Sequence, residues 1–189
     1  MLCFFYYLPV AENRKLWERL SQNVITLPVM TTLGVTTLIS DSGVTRYRVN
    51  TEEWMMYDRK KPSYWAFEKG VYMEQFDSIF NVEASIKADT AYYYDKERLW
   101  KLIGNVDIQN RKGERFNTEL LYWNGGTQKV YSDKFIRIQQ PDRIITGHGF
   151  DSNQQMTIYT IRNIEGIFYV DEEASSGPPN RRQKHCRIQ

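Results

Sequence analysis

The sequence has few of the residues that build metal sites or disulfides. Its 189 residues include only two cysteines and two histidines. Cys3 and Cys186 lie near opposite ends of the chain, so a structural disulfide is not expected, and two thiols do not identify a redox compartment. His148 and His185 have no companions at zinc-ligand spacing. We therefore expect neither a metal site nor a cofactor.

Motifs of catalysis are also missing. The chain has no Gly-x-Ser-x-Gly elbow, no phosphate-binding glycine loop and no paired His-Glu motif. The nearest candidate is Gly147-His148-Gly149, but two glycines in a strand are more typical of a bulge or of close backbone approach. We expect a protein that is not an enzyme and has no catalytic residues.

The sequence lacks both a strong net charge and a complete hydrophobic span. Its 25 basic and 23 acidic residues leave a net charge of +2, which argues against a nucleic-acid partner. Residues 1–10 are apolar but about half as long as a membrane-spanning helix, and they lack the basic start of a signal peptide. They are interpreted either as the trailing part of a signal or anchor, or as an unusual hydrophobic tail.

Strand-length segments rich in β-branched and aromatic residues are what the sequence has in abundance. From Phe80 to Ala88, apolar and polar residues alternate strictly, which is typical of a strand with one buried face. Similar segments separated by polar turns follow as far as Phe150, and those starting at Asp89 and Asn117 echo one another. The pattern predicts an all-β fold, an antiparallel β-jellyroll or open sandwich built from repeated hairpins.

Three regions follow from this organisation. Residues 1–26 are assigned to a partial signal or membrane anchor with a short helical or linker segment. Residues 27–172 form the β domain. Residues 173–189 lack apolar residues to anchor them, and we expect a disordered, polar and basic tail.

Five short motifs occur in an order that resembles the LptC family of lipopolysaccharide-export proteins, whose bridge proteins share an OstA-like domain. The motifs are Ala88–Tyr92, Leu102–Val106, Asn117–Leu120, Tyr131–Asp133 and Gly147–Phe150. The resemblance covers about Leu27 to Glu172, and each motif is weak alone. It implies a β-jellyroll open along one side, located in the periplasm and anchored to the inner membrane through the N-terminus. The sequence departs from that pattern at residues 1–10, which hold at most part of an anchor.

The resemblance also implies a function. Family members accept lipopolysaccharide from an inner-membrane ABC transporter and pass it to an OstA-like bridge protein by pairing edge strands. The segments Met156–Ile161 or Gly166–Val170 could supply that edge. Gly104, Gly147 and Gly149 match family glycines, and we expect the last two to bend a strand so that a groove stays open.

Alternation along the strands selects candidate lipid-binding residues for such a groove: Val82, Ile86, Ala88, Trp100, Leu102, Val106, Ile108, Phe116, Leu120 and Tyr122. An acyl-chain groove and a closed hydrophobic core require the same apolar side chains, so the sequence does not distinguish these two alternatives. Two other functions compete with lipid transfer. One is a soluble carbohydrate- or ligand-binding β-sandwich that uses Trp54, Trp65 and Trp123, and the other is a structural module that binds only protein edges.

Overall fold

The computed structural model describes residues 26–169, and the predictions for the anchor and the basic tail fall largely on residues 1–25 and 170–189, outside that range. The described chain forms one antiparallel sheet of eleven strands, which confirms the all-β prediction. The strands are β1 (Met30–Asp41), β2 (Val44–Tyr57), β3 (Tyr64–Phe67), β4 (Val71–Phe76), β5 (Val82–Ala88), β6 (Thr90–Tyr94), β7 (Leu99–Asn110), β8 (Arg115–Asn124), β9 (Lys129–Gln139), β10 (Arg143–Asn153) and β11 (Tyr159–Tyr169).

The sheet is folded into two facing layers. The first half of β2 pairs with β4 and its second half with β3, while β7 pairs first with β6 and then with β5. The short strands therefore divide into a β4–β5 layer and a β3–β6 layer. The long strands β1, β2 and β7 to β11 cross from one layer to the other. We call the line where they cross the crease.

At the crease the strands are irregular. Strand pairing shifts register between Ile103 and Val106 of β7, between Thr118 and Tyr122 of β8, and again in β10. Gly104 has a φ of +78°, and a Cβ there would lie 2.8 Å from the carboxylate Oδ2 of Asp89. An extra residue in a strand bends the strand and leaves backbone N–H and C=O groups without partners on the neighbouring strand, so these groups need other hydrogen bonds.

Short polar side chains bond these freed backbone groups. The Thr118 hydroxyl donates to the carbonyl of Phe135 at 2.8 Å, and the Ser132 hydroxyl donates to the carbonyl of Leu120 at 2.6 Å. Arg162 of β11 donates to the Ser132 carbonyl, also at 2.6 Å. The crease is therefore a hydrogen-bonded bend, which fixes the two layers opposite each other.

The crease breaks the alternation on which the inward-facing residues were chosen. In β8 the buried face contains Phe116 and then Leu121, because one register shift intervenes. The inward placement of Leu120 and Tyr122 was therefore wrong. Tyr122 instead stacks on Tyr131 of β9, with ring centroids 5.2 Å apart.

The predicted face is also wrong at the start of β5. Val82 is 45% exposed because the strand begins there, next to a register shift between Gln75 and Phe76 of β4. Phe80 precedes the strand, with a φ of +68°. Within β5, alternation places Ala84 and Ala88 in the core.

Between β7 and β10 the space between the layers is packed, and we call this region the filled half. Its fully buried side chains come from both layers: Leu102, Val106, Ile108, Phe116, Leu121, Val130, Ile136, Ile138, Phe150 and Met156. Phe116 meets Phe150 at 5.7 Å and Tyr159 at 5.2 Å. This is the closed core that the sequence left as one of two alternatives.

Both ends of the sheet carry an edge strand. At one end β1 pairs with β2, and at the other β11 pairs with β10. The two segments predicted as separate edge candidates belong to one region, since β11 contains Tyr159–Ile161 and Gly166–Tyr169, while Met156 lies in the preceding turn. Across residues 26–169, no helix has the length and apolar character needed to cross a membrane.

Candidate functional site: a groove with an aromatic wall

The two layers separate at the β1–β4 end of the sheet and enclose a groove of about 800 Å³. Strands β1, β2 and β4 form one wall, and β2, β3, β6, β7 and β8 form the other. The apolar and aromatic lining residues are Ile39, Tyr47, Val49, Trp54, Trp65, Met73, Phe76, Tyr93, Trp100 and Trp123. Sites of this size that bury a ligand are common in proteins.

One wall of the groove is a continuous row of aromatic rings. Trp65, Tyr93, Trp100 and Trp123 are directly paired across the consecutive strands β3, β6, β7 and β8. Their ring centroids are 5.1, 4.7 and 6.3 Å apart in that order. Directly opposed residues on one sheet face lie close enough for such contacts, so strand register alone builds the row. Trp54 extends it, with its ring 4.9 Å from that of Trp65.

The inner end of the groove is closed by two rings from opposite layers. Tyr47 of β2 meets Trp123 of β8 edge to face, with centroids 5.2 Å apart. The Gln154 amide donates to the Tyr47 hydroxyl at 3.3 Å. Burial raises the pKa of Tyr47, although this hydrogen bond and the Arg46 charge oppose the rise. The phenol is therefore neutral near pH 7, so neither ring of the pair carries a charge.

The rim of the groove is polar. Its side chains include Gln75, Gln128 and Gln155 together with charges of both signs from Glu83 and Arg98. Burial is likewise the main cause of the raised pKa of Tyr93, which keeps that wall residue neutral. An apolar interior below a polar rim suits an amphiphile, whose chain enters the groove while its head group stays near water.

The ten residues chosen from the sequence fall into four places. Trp100 lines the groove. Ile86 borders a small void beside Tyr47 and Trp123. The buried core holds Ala88, Leu102, Val106, Ile108 and Phe116. Val82, Leu120 and Tyr122 lie off the core face, as described above. Whether any of the ten contacts a lipid stays a prediction.

Sequence reasoning missed most of the groove. Tyr47, Met73 and Tyr93 line it but are not among the predicted lipid-binding residues, which all lie on β5, β7 and β8. The usable signal was the density of aromatic residues on the short strands before Trp100. The tryptophans considered for a sugar site, Trp54, Trp65 and Trp123, all line this same groove.

The glycines lie at the crease, away from the groove. Gly149 has a φ of +76° and sits at the register shift between β9 and β10. A Cβ at Gly147 would lie 2.3 Å from the backbone oxygen of Asn163 on β11, so only glycine permits that approach. Next to them, His148 Nδ1 lies 2.8 Å from a carboxylate oxygen of Glu165.

A second depression, of about 590 Å³, lies on the outer side of the crease. It is bordered by charged side chains of both signs, including Lys87, Asp107 and Arg137, and the Phe135 ring is its largest apolar surface. The part of the chain that the structure describes contains no group of three or more His, Cys, Asp or Glu residues able to hold a metal ion. The groove is therefore the better candidate for an apolar ligand.

Most of the chain matches a known protein family. A family model described as "Lipopolysaccharide-assembly, LptC-related" matches residues 21–165 of the chain, which is well over half of its 189 residues. The matched range contains the aromatic row, the crease and the filled half. No curated protein matches the chain.

Proposed function

This chain belongs to the LptC-related family of lipopolysaccharide-assembly proteins, and on that basis we propose that its groove holds acyl chains of lipopolysaccharide during transport. The observation that carries the proposal is the groove of about 800 Å³ with its neutral aromatic wall. Burying an acyl chain is worth about 0.8 kcal/mol for each methylene. A slot of this kind therefore retains a chain without polar contacts to it.

The two ends of the sheet support a second part of the proposal, the handover. Within residues 26–169, strand β11 pairs only with β10, and its exposed side chains include Ile164, Phe168 and Tyr169. Unpaired N–H and C=O groups beside apolar side chains allow another strand to be added. We propose that an OstA-like bridge protein pairs with β11, and that the inner-membrane ABC transporter delivers lipid at the β1 end.

Localisation is part of the same proposal. The protein would act in the periplasm, held at the inner membrane through its N-terminal segment. Thr26, the first described residue, leads into β1, so such an anchor would connect at the groove end of the sheet. Lipid arriving from the membrane would then meet the groove before the filled half.

Photocrosslinking in cells tests the acyl-chain proposal. A photoreactive residue would replace Trp65 or Tyr93 in the groove, Leu121 in the filled half, or Tyr122 on the outer face. We expect lipopolysaccharide adducts at the two groove positions and none at the other two. Adducts at Tyr122 as strong as those at Trp65, or none at the groove positions in folded protein, would contradict the proposal.

A carbohydrate ligand is the second candidate, because all three tryptophans considered for it line the groove beneath a rim of glutamines. Competition separates the two functions. Acyl-free lipopolysaccharide oligosaccharide should leave the groove adducts unchanged if acyl chains occupy the site. It should abolish them if the sugar is what binds.

A further inference from the structure

The side chains of Tyr47 and Trp123 form the inner end of the groove. Tyr47 and Trp123 belong to opposite layers, yet their rings meet with centroids 5.2 Å apart. On the groove side of this pair lies the open space beside Trp100. On the far side the interior is filled by residues such as Leu121, which has no exposed surface. A chain that follows the aromatic row therefore meets the pair across its path.

Packing alone holds Trp123 in this position. Its side chain is 7% exposed, and within residues 26–169 its Nε1 atom has no hydrogen-bond acceptor. A buried donor left unpaired is unfavourable, so no polar contact would be lost if the ring were removed. Behind the pair lies a small void bordered by Met73, Ala84 and Ile86 and by the polar side chains of Glu74, Gln75 and Gln154. Removal of the Trp123 ring would join the space that it occupies to this void and so lengthen the groove.

We propose that the Tyr47–Trp123 pair sets the length of acyl chain that the groove accepts, an inference that rests on the proposed function. Each methylene that fits between the rim and the pair should tighten binding about fourfold. A methylene that reaches the pair has to bend back or stay in water, so it adds nothing. Affinity should therefore rise with chain length and then level off at a break.

The test uses monomeric lysophospholipids whose single acyl chain lengthens by two carbons at a time. Binding is followed by tryptophan fluorescence, since four of the five tryptophans line the groove. Trp123→Ala should move the break to longer chains by several methylenes. Trp65→Ala is the matched control, because it removes the same ring from the side wall. It should weaken every chain similarly and leave the break in place.

A second variant guards against misfolding of the first. Tyr47→Leu removes the other ring of the pair and should move the break in the same direction. A break that stays fixed in folded Trp123→Ala and Tyr47→Leu proteins, or that moves equally in Trp65→Ala, would overturn the inference while leaving acyl-chain binding intact. If no chain length binds the unaltered protein, the proposed function fails, and the length limit fails with it.

Discussion

The filled half and the groove are built on the same bent strands but differ in what spans the space between the layers. In the filled half, aliphatic and phenylalanine side chains from both layers interlock, as Phe116 and Phe150 do. In the groove, large rings pack along one layer, and about 800 Å³ remains open. Both interiors contain apolar and aromatic side chains, so hydrophobicity alone does not distinguish them. They differ in whether these side chains pack across the two layers or along one layer.

Hydrogen bonds between the two layers, on the side opposite the crease, explain this difference. At the filled half, Asn110 in one layer donates to the carbonyl of Met156, in the turn that follows β10, at 2.8 Å. Asn110 also donates to the buried Glu114 at 2.7 Å, and Gln140 donates to the Tyr159 hydroxyl at 2.8 Å. We call these residues the clasp. Across the groove, the part of the chain that the structure describes has one such hydrogen bond, from Gln154 to Tyr47 at the inner end. The turn that contains Met156 reaches from one layer to the other and closes the filled half, while the groove stays open.

The largest expected effect compares the two interiors directly. Phe116→Ala should lower the free energy of unfolding by about 3–5 kcal/mol, because it leaves a cavity in a packed core. Trp65→Ala should cost clearly less despite the larger side chain, since the ring already borders open space. Urea denaturation measures both values. Equal losses would mean that the aromatic wall is as tightly packed as the filled half.

The next effect tests the edge of the filled half. A Cβ at Gly147 would overlap the Asn163 backbone oxygen at 2.3 Å, so Gly147→Ala should push β11 off β10 and cost about 2–3 kcal/mol. Hydrogen exchange should accelerate in β11 and leave the aromatic row protected. Gly125→Ala is the matched control, since its Cβ would meet its nearest atom at an ordinary 3.5 Å. Equal exchange in β3 and β11 would show that the two halves do not open separately.

The sequence was sufficient to predict the fold class because alternation and turn composition are local signals. Antiparallel strands joined by short turns follow from patterns within each segment, such as the one in β5. The crease could not be predicted in the same way. Asn105 takes a positive φ without being glycine, and one extra residue reverses the face of every later residue in the strand. That is why Leu120 and Tyr122 were assigned inward.

The groove was hidden for a different reason. Its aromatic row exists only after β3, β6, β7 and β8 are placed side by side in register, and the sequence does not give that register. A lined slot and a filled core also use the same apolar side chains. The two differ in whether a turn connects the two layers on the side opposite the crease. That depends on contacts between residues distant in sequence, such as Asn110 and Met156.

Removing the hydrogen bonds of the clasp should let the two layers separate in part of the filled half, as they do at the groove. Asn110→Ala leaves the Glu114 carboxylate and the Met156 carbonyl each without one buried donor and should cost about 2 kcal/mol. It also removes the acceptor of the Lys112 and Glu114 backbone N–H groups, a loss that the control below matches. Amides of the turn that contains Met156 should exchange faster. Asn124→Ala, which loses two bonds to backbone N–H groups of an exposed turn, should cost less. A loss for Asn110→Ala no larger than that of this control would show that the clasp does not hold the layers together.

The smallest expected effect is a loss of folding stability at alkaline pH, to which both the groove and the filled half contribute. Burial is the main cause of the raised pKa of Tyr93 in the groove and of Tyr159 in the filled half, so folding favours the neutral phenol. Stability from these groups is fully present below their ordinary pKa of about 10 and is lost as the pH rises through the raised values. Urea midpoints should therefore fall above about pH 10. Tyr159→Phe should flatten that fall, and Tyr93→Phe should flatten it less if the open half is readily reached by water. The reverse order would mean that water reaches the clasp more easily than the aromatic wall, and that the half described as filled is the one that opens.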